Sequence, residues 1–322
     1  MLWMTWRQHR AHLLSCLALL AVAALALGYD GYSLHTQYTD DGVGACARHL
    51  GEGTPACKAA LRDFLDRADV TDQFLDWMMV VPGVVGALLG ALLVAPEFEQ
   101  GTWRMAWTQA VPRTRWLAWK LGFVVVVAAG FSAALAALVG WYRAPLDEIR
   151  PDGRFASAGF DLEGVVLPAY TVFAVALGAL AGLLLRRTVA AVALAVGVFV
   201  VVRLSVETLV RPHYWSPVSR VGDPELAPTG VQAGDWTLAH GWQDLSGRNL
   251  SHNAYRAIAD GATPDYPGGF AAFLRDHGVV WWQTYQPASR FGAFQLVEAG
   301  LYMVLSAGLV AGLFVALRRR TG

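Results

Sequence analysis

The segment Glu97–Lys120, EFEQGTWRMAWTQAVPRTRWLAWK, sets charged and amide side chains among aromatic rings. Glu97, Glu99, Arg104, Gln109, Arg113 and Arg115 are interleaved with Phe98, Trp103, Trp107, Trp116 and Trp119. These types recognise another surface, through the guanidinium fork and buried indole rings, rather than make or break bonds. Gly101 and Thr102 read as a helix start with Thr102 as N-cap, and Pro112 stops the helix near Val111. Trp103 and Trp107, four apart, fall on one face of it. The pattern predicts a short amphipathic helix at a membrane interface, and a helix that only lies on lipid gives the same pattern.

Cys46 and Cys57, with ten residues between them, are a disulfide candidate if their loop faces an oxidising compartment; Cys16 stands alone. No CxxC pair or histidine cluster joins them into a metal site. The chain has two lysines, Lys58 and Lys120, and neither sits in a G-x-x-x-x-G-K-[ST] phosphate loop. H-E-x-x-H and G-x-S-x-G are also missing, so a metalloprotease or acyl hydrolase lacks its parts.

The elements that must position these groups are apolar. Of 322 residues 55% are hydrophobic and 16% charged, with 25 Lys+Arg against 25 Asp+Glu. A net charge of zero removes the electrostatic case for a nucleic-acid partner. Charge-free runs recur at Leu13–Tyr29, Trp77–Pro96, Leu121–Tyr142, Gly164–Leu185, Thr188–Val202 and Ala299–Leu317, and about 20 apolar residues span a bilayer as a helix. The expectation is an all-α membrane protein with six transmembrane helices near 13–29, 75–96, 118–142, 163–185, 188–207 and 293–317. The fifth reaches full length only if Arg203 snorkels toward a headgroup.

Lysine and arginine placement gives the orientation. With both termini cytoplasmic, the inner segments hold eleven cations and two acids, Glu97 and Glu99, while the remainder holds fourteen cations and twenty-three acids. Short basic inner loops are what the positive-inside rule requires. The first run also resembles a secretory signal, since Arg7 and Arg10 precede an apolar stretch ending in small residues. Its cleavage would leave five helices in the same orientation.

Outside the lipid, 30–74 forms an outer loop with the cysteines and a helical face of Leu61, Phe64, Leu65 and Ala68. Arg143–Glu163 reads as short and irregular. The segment 208–290 is rich in Trp and Tyr, and its Phe270–His277 stretch reads as a short helix stopped by Gly278. Its rings, at Tyr214, Trp215, Trp236, Trp242, Trp281, Trp282 and Tyr285, read first as a compact outer domain with interfacial rings, and otherwise as the lining of a substrate path or a cap on the outer face. Gly86/Gly90, Gly178/Gly182 and Gly308/Gly312 each form a G-x-x-x-G for close helix packing, inside the bundle or at a dimer seam. Asp76, Arg203, Glu207 and Glu298 project toward outer helix ends, with Arg203 and Glu207 placed to pair at i,i+4. Charge-free central turns speak against an ion-coupled transporter.

The 97–117 loop and the six-helix plan together resemble the permease subunits of type-2 ABC exporters, particularly those common in actinobacteria. The resemblance rests on Glu97, Glu99, Gly101, Thr102, Arg104, Gln109, Arg113, Arg115, Trp116 and Lys120. A second stretch, TYQPASRFGAFQLVE, is similar to the family through Gln286, Pro287, Arg290, Phe291, Gln295 and Glu298, with Gly292 where relatives often have an aromatic. The resemblance implies that the loop, including Trp103, is a cytoplasmic coupling helix docking on a separate ABC ATP-binding subunit. ATP and Mg would sit on that partner, a second permease chain would complete the unit, and this chain would be no enzyme. The expected cargo is hydrophobic or amphipathic. The alternative from another class is a non-transporting sensor or assembly module acting through its extracellular segment.

Overall fold

The computed structural model describes residues 2–48, 54–99, 113–150, 153–224, 234–263 and 265–319. Its contacts divide into two units, Met1–Pro145 with Ser157–Arg211 and Ala293–Gly322, and Leu146–Ala156 with Pro212–Gly292.

The first unit is helical: α1 (Leu2–Thr39), α2 (Val43–Arg48), α3 (Pro55–Met78), α4 (Val81–Glu99), α5 (Arg113–Asp147), α6 (Ser157–Leu162), α7 (Val166–Leu185) and α8 (Thr188–Ser205), with α11 (Phe291–Arg319) returning to it. Among the described residues, six stretches are long and apolar enough to cross a membrane: Leu17–Thr39, Pro55–Pro96, Thr114–Asp147, Val166–Leu185, Thr188–His213 and Ala288–Arg319. The second is 42 residues long because α3 runs almost directly into α4. Thr54 starts α3 as an N-cap, accepting from the Cys57 amide, and Pro55 occupies the first turn where its missing N–H costs nothing. Phe64, Ala68, Asp72 and Leu75 form its buried stripe at helical spacing. Cys46 and Cys57 are joined by a disulfide that fastens α2 to the start of α3.

The centre of this unit is α7, which is buried along nearly its whole length. It packs backbone to backbone on α4, because glycines remove the side chains that would hold the helices apart. A Cβ on Gly90 would lie 2.1 Å from the Val175 carbonyl oxygen, and one on Gly178 would lie 2.3 Å from that of Ala87. Gly86 and Gly182 continue the same seam. Gly308 and Gly312 differ, with nothing within 4 Å of the position a Cβ would take.

The second unit is not helical throughout. It holds β1 (Val218–Gly222), β2 (Trp236–Asp244) and β3 (Val279–Gln286) in an antiparallel sheet of order β1-β3-β2. Two short helices, α9 (His252–Ala259) and α10 (Gly269–Asp276), lie between β2 and β3 in the chain. Phe273, Leu274 and Val279 form the small core, and Trp242 stacks on Tyr255 at 4.9 Å. The molecule is therefore mostly helical rather than all-α. Among the aromatics of 208–290, Trp236, Trp242, Trp281, Trp282 and Tyr285 are strand residues, and residues 279–284 alternate buried and half-buried positions with the pleat of β3.

Candidate functional site

The amphipathic loop falls mainly outside the described residues. Gly101, Thr102, Trp103, Arg104, Gln109 and the capping and stop signals lie there, as do the side chains of Glu97 and Arg113. What is described is how its two ends are anchored. Glu99, the last residue of α4, reaches the start of α8, where its carboxylate accepts from the Thr188 amide at 2.8 Å and the Thr188 hydroxyl at 2.9 Å. The acceptor is needed because the preceding Arg187 makes no side-chain cap, which leaves the first helical N–H groups open. The turn itself is forced: Arg186 ends α7 in the left-handed region at φ 55°, unfavourable for any residue but glycine, and its N–H returns to the Gly182 carbonyl. The backbone and hydroxyl bonds from Thr188, and then the nearby Arg187, hold the Glu99 carboxyl below its ordinary range. At the other anchor Arg115 is exposed, while Lys120 stands 4.1 Å over the Trp116 ring.

The second motif divides between the two units. In the sheet unit, Gln286 donates to the Trp215 carbonyl and accepts from Arg290, which also donates to the Ser216 carbonyl at 2.8 Å. After Pro287, the Ala288 amide donates to Asp235, and the Phe291 ring receives the Arg154 guanidinium at 4.0 Å. Gly292 has nothing within 4 Å of its Cβ position. In the helical unit, Gln295 clasps the α6–α7 turn, accepting from the Val166 amide at 3.1 Å and donating to the Phe160 carbonyl at 2.6 Å. Gly164 makes room for that clasp, with φ +65° and a Cβ position only 2.8 Å from the Gln295 Oε1.

Glu298 belongs to a buried charge cluster that sequence reasoning missed. Arg211 donates to both Glu298 oxygens at 2.8 Å and to Asp161 at 2.7 Å. Arg203 meets Asp161 from the other side, and the Tyr170 hydroxyl closes on Glu298. Their surroundings are aromatic, with Arg203 over the Tyr170 ring at 4.4 Å and Arg211 over Phe160 at 4.0 Å. Arg203 thus does not snorkel to a headgroup; it is 6% exposed, because Asp161 provides a partner inside. A widened π turn at Val206–Val210 leads directly into Arg211, and such turns re-aim side chains at functional positions.

A second cluster lies two residues along the same segment. Arg143 of α5, itself 1% exposed, binds Asp72 of α3 at 3.0 Å and Glu163 at 3.3 Å. Asp161 and Glu163, bracketing Leu162, therefore tie one short segment to α3 and α5 on one side and to α8 and α11 on the other. The stretch expected to be irregular contains one short helix, α6, and the two acids at its C-terminal end, Asp161 and Glu163, are buried. The available signal was the match of acids in Arg143–Glu163 to arginines just past the apolar runs, which chain distance concealed.

Among the described residues, six membrane-length helices with buried ion pairs near their ends and a small-residue seam fit a multi-pass membrane protein. The sequence model of the ABC-2 membrane transporter related family matches residues 17–211, and the chain belongs to that family. The match includes the loop and both clusters except Glu298, and stops before the first strand, β1. Comparison with curated proteins and with solved structures finds no match for this chain.

Proposed function

We propose that the chain is the permease subunit of an ATP-driven exporter for a hydrophobic or amphipathic substrate. Both termini would be cytoplasmic, and ATP with Mg would be bound and hydrolysed on a separate ABC subunit. A second permease chain, identical or related, would complete the unit. Membership of the ABC-2 family supports the permease class and an ATP-binding partner. Orientation is supported by the basic loops and by the Cys46–Cys57 disulfide, which belongs on the oxidising side.

The observation that carries the coupling role is the Glu99–Thr188 joint. It attaches the first residues of the 97–117 loop to α8 as well as to α4. A partner that presses on Trp103, Arg104, Gln109, Arg113 and Arg115 then moves two spanning helices, not a loose connection. Rigid displacement of packed helices is how such a signal reaches the far side of a bilayer. At that far side the two arginine clusters hold the helix ends together, so outward opening has to part or rehydrate them.

The test is co-purification from the native membrane, followed by mass spectrometry of the intact complex and vanadate-sensitive transport in proteoliposomes. A stoichiometric ATPase with ATP-dependent transport is the expected result. Purification without an ATPase, with function residing in the extracellular segment, would replace this reading with the sensor or assembly module.

A further inference from the structure

The helical unit contains a cavity of about 340 Å³ between α1, α3 and α5, within the range that ligand sites occupy. Its floor is built of Leu27, Leu75, Val139 and Leu162, all nearly inaccessible, while Val70 and Phe74 at its rim are 74% and 61% exposed. Thr71 is the one polar residue lining it, and its hydroxyl is already given to Asp30 at 2.7 Å. Water needs two to four polar partners to occupy a cavity, and among the described residues this lining offers only Thr71. A void of this size left empty would cost its lining the dispersion contacts that packed interiors have. Hydrocarbon is the remaining filler, and the rim opens among residues of membrane-crossing helices.

We propose that this cavity is a binding site for one acyl chain of a bilayer phospholipid. A cation beyond the apolar rim suits the glycerophosphate end. Arg67, one turn from Val70 on α3 and 45% exposed, makes only a long 3.8 Å contact with Asp30, so its guanidinium can also meet a phosphate. The chain would lie against Leu162, between the two acids that hold the arginine clusters. An occupied site therefore braces α6 and with it the locked arrangement of Asp161 and Glu163. The assignment requires only that the chain spans a membrane and is independent of any ATPase.

The experiment places the full chain alone in nanodiscs containing a phosphatidylglycerol with a diazirine in its acyl chain. After irradiation, adducts are mapped by peptide mass spectrometry. Adducts at Val70–Met78 and Leu135–Val139 are expected to exceed those at the exposed Val189 and Val304 by roughly tenfold, the ratio given by 1.4 kcal/mol of preference. Ala26→Trp, filling the cavity, should return labelling to the level of those exposed positions. Ala23→Phe is the second variant should the first fail to accumulate. Uniform labelling of all apolar surfaces, or labelling unchanged by a folded filling variant, overturns the site. Labelling by a diazirine fatty acid but not by the phospholipid overturns the phospholipid assignment.

Discussion

Replacing Arg211 by Met tests whether the buried cluster holds the bundle. The parent cluster sets two guanidinium groups, Arg203 and Arg211, against two carboxylates, Asp161 and Glu298, with Glu207 half-buried nearby. Arg211 alone makes three charge-assisted bonds at 2.7–2.8 Å. Hydrogen bonds to charged groups contribute about 1.5–3 kcal/mol each, and removing one side of a buried pair costs about 3–5 kcal/mol because it leaves a buried charge uncompensated. Met keeps much of the volume, so the loss reports charge rather than a cavity. Arg211→Met with Glu298→Met leaves one cation and one anion, and that double variant should lie within about 1 kcal/mol of the parent. Reversible unfolding in mixed micelles of mild and denaturing detergent, followed by tryptophan fluorescence, measures all four corners of the cycle. A single variant within about 1 kcal/mol of the parent, or a double variant worse than the sum of the singles, refutes the account.

Four further outcomes follow. Gly90→Ala should destabilise the bundle by about 2 kcal/mol or more, because the new methyl meets the Val175 carbonyl, whereas Gly308→Ala should be neutral or slightly favourable; thermal unfolding of both in detergent compares them. Glu99 has a lowered carboxyl pKa, so its cap on α8 adds stability at pH above the unfolded value of about 4.3 and loses it as pH falls through the folded value. Hydrogen exchange at the α7–α8 turn, corrected for intrinsic rate, should keep its protection at pH 5 and lose it in stronger acid, with Glu99→Gln abolishing that dependence. In the assembled transporter, Glu99→Ala and Arg104→Ala should retain ATP hydrolysis while losing transport, and normal transport in both would remove the coupling role. Reducing the Cys46–Cys57 disulfide should cost about 3 kcal/mol by loop closure, and neither thiol should alkylate before reductant is added.

The number of spanning helices was legible because lipid imposes a length and a polarity that few other environments require, and a run such as Val166–Leu185 carries both. The α4–α7 seam was half legible: Gly86/Gly90 and Gly178/Gly182 signalled close approach, but Gly308/Gly312 has the same spacing and no neighbour in this chain. Spacing records what a helix can allow, and only the partner decides whether it is used. The ion clusters were hidden by distance, since Asp72 pairs with Arg143 and Asp161 with Arg203 and Arg211, where local reasoning offered only the i,i+4 pair Arg203–Glu207. The sheet was hidden by its connections, because β1 pairs with β3 across two helices and β2, and no local period marks such a partner. The loop residues were selected by a pattern of charge and aromatic rings, and Glu99 alone among the acids there has a described contact to explain its presence.

The contact between α4 and α7 has a mechanical consequence. Two helices whose main chains touch cannot bend independently, since flexing either would drive a carbonyl oxygen into its neighbour. With Glu99 fixing the foot of α4 to α8, three of the six spans make a stiff slab that tilts or slides as one piece. The compliance then falls to the remaining three, α1, α5 and α11, whose Gly28, Gly122, Gly130, Gly308 and Gly312 have nothing within 4 Å of where a methyl would sit. Motion in this permease is thus divided between a girder and three looser flanks.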